Sequence, residues 1–386
     1  MTTVCPSCMG VFESEPEDLL CPKCGYRHIF NVEAQDDLLK TEALAVKAAR
    51  KKAGIDRAMK GLVGIILRVE QGMLTDAVRE LSSTTALEHT GSFAHGGYST
   101  AIMEADNTPT FIVRESAVPS PFQSLNIGPR TKEKPNTRLE TFIFETSDID
   151  HVVREQRNRG VAFMTGIIPM GSHKFAQTRP SPNTNNTVAY IQFDGEPSFM
   201  QKKPGKGIPL VPKPDAGHVR GIGFLDHAAT RITHMDRAPA ILEWMGLTGY
   251  DFSEAIYARL FNSITNVTRL KGKDFAMVLT SGIKPYTGDP KLSEPTEKFV
   301  RNYGRRVHHL AWQADPIEGV FEGLKDDGMK FLLDLVGDRS EGLKQTFSTP
   351  SKNTFLVQEY IHRYDDFDGF FTKSNVTKLT EATDWQ

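Results

Sequence analysis

Apolar side chains at Leu38, Leu39, Ala43, Val46 and Ala49 recur at helical spacing in a stretch rich in Ala, Leu, Lys and Glu that stops at Gly54. This pattern predicts an amphipathic helix joining the N-terminal segment to the body of the chain. Beyond it, short apolar runs at 62–69 and 110–114 read as strands. So does 138–145, where Leu139, Phe142 and Phe144 alternate imperfectly before a helix over 148–159. Polar, proline-bearing stretches at 116–136 and 179–187 read as loops, and 202–217, with Pro204, Pro209, Pro212 and Pro214, as a semi-rigid connection and the main boundary. After it come a strand at 220–232, a helix at 237–245 and strands at 261–270 and 275–280. The order then restarts with a strand at 306–313, a helix at 316–327 and strands near Lys330, at 342–347 and at 355–363. Such a restart implies an internal repeat of about 80 to 90 residues. Antiparallel strands carrying helices on one face make the α+β class. The expected divisions are 1–34, a joining helix over 35–57, a first domain over 58–203 and a second over 218–386.

Charge narrows the partners. The 386 residues carry 46 Lys and Arg against 48 Asp and Glu, a net charge of −2, too balanced for a footprint on nucleic acid or anionic lipid. No apolar run approaches the ~18 residues of a membrane span. The first basic residue is Lys23, so a secretory leader is not expected and a cytoplasmic location is.

All four cysteines fall in the first 24 residues, as Cys5-Pro6-Ser7-Cys8 and Cys21-Pro22-Lys23-Cys24, two pairs separated by twelve residues. Each tight turn can present two thiolates, and four sulfurs complete the tetrahedron that Zn²⁺ prefers. A closed four-sulfur site has no open position, so the expected zinc is structural, in a zinc-ribbon-like segment.

Position singles out two of the eleven histidines. His227 sits in the strand that opens the first unit after the boundary, and His309 in the strand that opens the next. In a strand, Val307, His309 and Ala311 share one face while His308, Leu310 and Trp312 share the other, so one of the two adjacent histidines should point inward. Glu359, in the last strand, shares a face with Phe355, Val357 and Ile361, where a carboxylate is costly to bury without a cation. Two imidazoles and one carboxylate make the facial set that holds non-heme Fe(II) with open positions. The competing assignment keeps His227 as a core residue and pairs Glu359 with Arg363.

The Asp226-His227 pair, the strand Val307-His308-His309-Leu310-Ala311, the strand Glu359-Tyr360-Ile361-His362-Arg363 and the tail Gly369 to Leu379 resemble the 4-hydroxyphenylpyruvate dioxygenase family of the vicinal oxygen chelate superfamily. The likeness covers roughly 220–384. It implies tandem βαβββ modules forming open barrels, with Fe(II) held by His227, His309 and Glu359. It also implies a 2-oxo acid chelating the metal, O2 at the remaining position, and decarboxylation coupled to hydroxylation. Gln345 and Phe347 match a family strand that lines the pocket. Asn375 lies in the matching tail, and Ser293 stands where the family has an asparagine in an Asn-Glu-Pro turn. The family further implies a homo-oligomer.

Several positions depart from the family pattern. His308 replaces a glutamine, and Val357 and Val376 replace pocket phenylalanines. Only 50 positions separate His309 from Glu359, so an insertion that covers substrate is missing. The aromatic clamp is thinned, and 4-hydroxyphenylpyruvate itself is expected to turn over slowly or not at all. Two other readings stand beside this one. The first is an extradiol ring-cleaving dioxygenase, disfavoured because no histidine lies between His234 and His308 or between His309 and Glu359. The second is a catalytically inactive zinc-ribbon barrel serving as a binding module.

Overall fold

The computed structural model describes residues 35–200, 205–270, 275–288, 293–364, 367 and 369–386, together with the backbone of short elements within 2–34. Those elements are two hairpins, β1 (Thr2–Val4) with β2 (Val11–Glu13) and β3 (Asp18–Leu20) with β4 (Arg27–Ile29). The four cysteines lie outside the described residues. Helices α1 (Val32–Lys52) and α2 (Ile55–Ala58) lead into the body.

The body is four repeats of strand, helix and three strands. The first holds β5 (Met59–Arg68), α3 (Leu74–Thr84), β6 (Glu88–His95), β7 (Tyr98–Glu104) and β8 (Thr110–Ser116). The second holds β9 (Arg138–Thr146), α4 (Ile149–Asn158), β10 (Ile168–Pro169), β11 (His173–Gln177) and β12 (Thr187–Phe193). A connector with β13 (Gly205–Lys206) and α5 (Gly217–Arg220) follows. The third comprises β14 (Ile222–Arg231), α6 (Arg237–Thr248), β15 (Asp251–Ala258), β16 (Ser263–Arg269) and β17 (Ala276–Gly282). Helix α7 (Pro295–Tyr303) precedes the fourth: β18 (Arg306–Ala314), α8 (Ile317–Asp326), β19 (Val336–Asp338), β20 (Leu343–Phe347) and β21 (Val357–Arg363). Helix α9 (Lys373–Ala382) closes the chain.

Repeats one and two share a sheet of order β10-β11-β12-β9-β5-β8-β7-β6-β13, and repeats three and four one of order β15-β16-β17-β14-β18-β21-β20-β19. The opening strands of each pair of repeats are central and antiparallel neighbours. The α+β class and tandem βαβββ plan hold, with one correction: the sheets are mixed. The opening strand of each repeat runs parallel to its own last strand, as in β5 with β8 and β18 with β21, because the helix between them returns the chain to the same end.

The two sheets pack through one shared core. The rings of Phe142 and Phe144 meet Trp244 of α6 edge-on, with centroids 5.4 and 5.7 Å apart, and Phe111 of β8 lies 5.9 Å from Trp312 of β18. Leu310 and Trp312 join this core, so alternation turns His309 and Ala311 to the opposite, concave face. Helix α1 also differs from its sequence pattern. Leu38 is exposed and Arg50 takes the buried position near its C-terminus, donating to the carbonyls of Met245 and Tyr250 at 2.8 Å each and to Asp251 at 3.0 Å. A buried guanidinium whose donors meet two carbonyls and a carboxylate ties the helix to the third repeat. The proline-bearing connector is anchored too. Gly205 and Lys206 extend the first sheet beside β6, and the Lys213 ammonium donates to Thr85 O at 3.1 Å. Among the described residues no helix is long and apolar enough to cross a membrane.

Candidate metal centre

Three adjacent central strands of the second sheet, β14, β18 and β21, carry His227, His309 and Glu359. Ala311 is the register partner of both His227 and Glu359, and His309 pairs with Ala229 one step along. A methyl group between two longer side chains leaves space for them to converge. The Glu359 carboxylate oxygen Oε2 lies 3.1 Å from His227 Nε2 and 3.3 Å from His309 Nε2. Ligand atoms of all three residues fall within 4.8 Å of one another, and none of the three side chains is solvent-exposed. His227 Nε2 and Glu359 Oε1 are buried without a hydrogen-bond partner. Unpaired buried lone pairs are costly unless something binds them, and two imidazole nitrogens with a carboxylate oxygen form a donor set that suits a divalent transition metal.

What orients the first imidazole was not read from the sequence. A register shift between Leu225 and His227 marks a β-bulge at Asp226. The bulge lets the Asp226 carboxylate reach back to the neighbouring ring, where His227 Nδ1–H donates to Oδ1 at 2.7 Å. Asp226 is held in turn by the fork of Arg363 and by Gln313, whose amide donates to Oδ2 at 2.6 Å. Arg363 therefore pairs with Asp226, which overturns the alternative in which it pairs with Glu359. Burial raises the Asp226 carboxyl, but the Arg363 charge and the His227 contact more than offset this and hold it well below the carboxylate range. Burial lowers the His227 imidazole, yet Glu359 and Asp226 outweigh it and bring the ring up to about 8.

The second imidazole shows where strict alternation fails. A further bulge, between Ala229 and Thr230 against His309 and Val307, leaves His308 as the extra residue. Its ring turns toward its neighbour's. His308 Nδ1 and His309 Nδ1 are 2.8 Å apart, and both rings lie beside Phe347, at centroid distances of 6.0 and 4.8 Å. The expectation that only one of the two histidines points inward is corrected. His308 Nε2 sits 2.8 Å from Gln386 Oε1. With that oxygen accepting the Nε2 proton, His308 Nδ1 must accept from His309 Nδ1–H, which leaves His309 Nε2 bare toward Glu359. Burial drives both rings well below the ordinary histidine value, reinforced at His308 by Arg231 and at His309 by the adjoining imidazoles and Arg231.

A cavity of about 40 Å³ opens beside the triad, lined by His309, Glu359, Arg231, Gln345, Phe347 and Phe371 among others. Gln345 is fully buried, and neither amide atom has a hydrogen-bond partner. Of the remaining expected site residues, two stand away from this lining. Asn375, in the first turn of α9, is 3.5 Å from Leu343 O and packs over Gly337, while Val376, Leu379 and Thr380 face the cavity. Ser293 precedes α7 with its hydroxyl buried, outside the lining. Reasoning from sequence passed over Phe370 and Phe371, whose rings lie 5.4 and 5.2 Å from that of His227. It also passed over Arg231, although 227, 229 and 231 share strand parity and an arginine there was a legible signal.

No family model and no curated protein sequence matches the chain. Solved structures do. A triple mutant of 4-hydroxymandelate synthase from Streptomyces coelicolor superposes with a TM-score of 0.62 at 16% identity, covering 85% of this chain and 99% of that one. A xylose isomerase-like TIM barrel/4-hydroxyphenylpyruvate dioxygenase fusion protein superposes with a TM-score of 0.60 at 13% identity, covering 85% of this chain and 53% of the fusion, about half its length. The shared architecture is the vicinal oxygen chelate fold of paired, curled half-barrels.

Proposed function

We propose that this chain is a non-heme Fe(II) dioxygenase that couples oxidative decarboxylation of a 2-oxo acid to its hydroxylation, with His227, His309 and Glu359 as the metal ligands. The observation that carries this reading is the convergence of two imidazole nitrogens and a carboxylate oxygen, two of the three residues having buried atoms with no hydrogen-bond partner, on one point of the concave face of the second sheet. The likeness to 4-hydroxymandelate synthase supports it at the level of fold. Ferrous iron bound there would supply O2 activation and two chelating positions for substrate.

The protein's own part is to position and to exclude. Asp226 and Arg363 fix the His227 tautomer, and His308 does the same for His309. Phe370 and Phe371 shield the His227 edge from water, and the unpaired Gln345 amide offers one donor and one acceptor to a bound oxo acid. The overall reaction balances without an outside reductant: R–CH2–CO–COO⁻ and O2 give R–CHOH–COO⁻ and CO2. We further propose that the four N-terminal cysteines hold a structural zinc.

Anaerobic loading followed by metal analysis, then O2 uptake and CO2 release against a panel of 2-oxo acids, tests the reading. One iron and one zinc per chain, with equimolar O2 consumed and CO2 released, is expected. Zinc alone after iron loading would leave a binding module. Brisk homogentisate formation from 4-hydroxyphenylpyruvate would contradict the expectation that this substrate is poor.

A further inference from the structure

Arg231 ends β14 on the inner face, two alternations beyond His227. It lines the same small cavity as His309, Glu359 and Gln345, and is 4% exposed. Its guanidinium donates to Pro295 O at 3.3 Å and to Thr383 Oγ1 at 2.7 Å and lies over the Phe299 ring at 5.0 Å. All three partners are uncharged. Among the described residues no carboxylate forms an ion pair with it. Burial unopposed by any acid pulls its pKa down to about 9, so it remains a cation at neutral pH. Arg363, which lies over the Phe370 ring at 4.5 Å, has Asp226 for a counter-ion.

An unneutralised cation buried in an enclosed site is expensive to maintain. The cost grows once the proposed metal is present. A divalent ion, one carboxylate from Glu359 and one guanidinium leave two uncancelled positive charges in the cavity, since imidazoles that ligate a metal are neutral and Asp226 cancels Arg363. A monocarboxylic 2-oxo acid would remove one of them and a dicarboxylic one both. The first half of the molecule offers a contrast. Its register equivalent of Arg231 is Arg68, which also ends an opening strand opposite a second arginine. Arg68 does not line the first sheet's cavity; Arg114 does, and it is paired with Glu140 at 2.6 Å. The register equivalent of Glu140 in the second sheet is His308, and that of Arg114 is Thr280. The first sheet thus neutralises its cavity cation internally, whereas the second leaves its own exposed to whatever enters.

Resting on the proposed function above, we infer that the substrate is a short 2-oxo dicarboxylate, its oxo acid end directed to the triad and its far carboxylate paired with Arg231. The Gln345 amide, fully buried in the same lining with neither of its polar atoms hydrogen-bonded, fits a polyoxygenated ligand.

The test is ligand binding rather than turnover. Full-length protein loaded anaerobically with Co(II) is titrated with 2-oxoglutarate, 2-oxopentanoate and phenylpyruvate, following heat and the visible absorption of the cobalt. Wild-type protein should bind 2-oxoglutarate roughly 10- to 100-fold more tightly than 2-oxopentanoate, as a charge-assisted pair predicts. Arg231→Met should bring the two to within about threefold while keeping Co(II) uptake, and Arg231→Lys should restore part of the difference. Equal binding of the mono- and dicarboxylate by wild-type protein, tighter binding of phenylpyruvate, or an unchanged preference in Arg231→Met would overturn the inference and leave the 2-oxo acid reading standing. A cobalt spectrum unmoved by all three ligands would bring down both.

Discussion

The two half-barrels are built on one frame and do different things with it. The strand registers of the two sheets place Gly64 where the second sheet has His227, Thr141 where it has His309 and Ala189 where it has Glu359. The central strands pair in the same way in both. In the first sheet the corresponding centre of the concave face is apolar, formed by Ile66, Ile143, Ala189 and Ile191, and the Phe199 ring lies so close over Gly64 that a Cβ there would meet it at 2.9 Å. The result is a cavity of about 290 Å³ with no metal-ligand cluster among the described residues, against about 40 Å³ beside the triad in the second sheet. The fold supplies convergence; three side chains and the bulges that aim them supply the chemistry. This is why a likeness of fold alone says little about reaction.

The two sheets differ most at the triad. Replacing His309 or Glu359 by Ala should reduce bound iron to background while the zinc content of the chain is unchanged, and His308→Ala should retain iron. Metal analysis of purified variants after anaerobic loading checks this; the opposite result for the two histidines would mean that the strand register is wrong. Next comes the support beneath His227, which the first sheet lacks. Asp226→Asn should weaken iron binding by about 10- to 100-fold, read by competition with a chelator of known affinity.

Helix α7, which precedes only the second sheet's closing repeat, gives a pH signature. Glu297 is buried and accepts from the backbone N–H groups of His234 and Gly282, at 2.6 and 3.1 Å. Burial pushes its carboxyl up to about 8, against those two bonds. A folded-state value above the unfolded one means the folded protein holds this proton more tightly. The stabilisation is complete below pH ~4.5 and is lost as pH rises toward ~8. Denaturation midpoints should therefore fall between pH 5 and 8 by the equivalent of a few kcal/mol at most, and Glu297→Gln should flatten that slope. The smallest effect sharpens the comparison from the other side. Gly64→Ala should destabilise the first half by about 1–3 kcal/mol through overpacking against Phe199, and Phe199→Leu should relieve it, as measured by thermal melts of the single and double variants.

The strands that bear the site were legible because β14, β18 and β21 alternate, and because the restart after 300 repeats the unit that follows 220. Alternation also places Glu359 on the inner face. It could not show the bulges at Asp226 and His308, since an extra residue in one strand is fixed by pairing across the sheet and leaves no local composition signal. Nor could it tell parallel from antiparallel neighbours. The first half was read least completely. Helix α3 was missed although Leu74, Ala77, Val78 and Leu81 have helical spacing and are buried, a signal that was present. Strand β6 was missed for a better reason, since only His89 and Phe93 are buried along it and Gly91 interrupts the pattern.

In the proposed enzyme one ferrous ion sits among His227, His309 and Glu359 of the second half-barrel and none in the first. Anomalous diffraction at the iron edge from crystals loaded anaerobically with Fe(II) measures this directly. The account predicts a single iron peak about 2.1 Å from His227 Nε2, His309 Nε2 and a Glu359 oxygen. An empty triad, or an iron peak held by other residues, would contradict it.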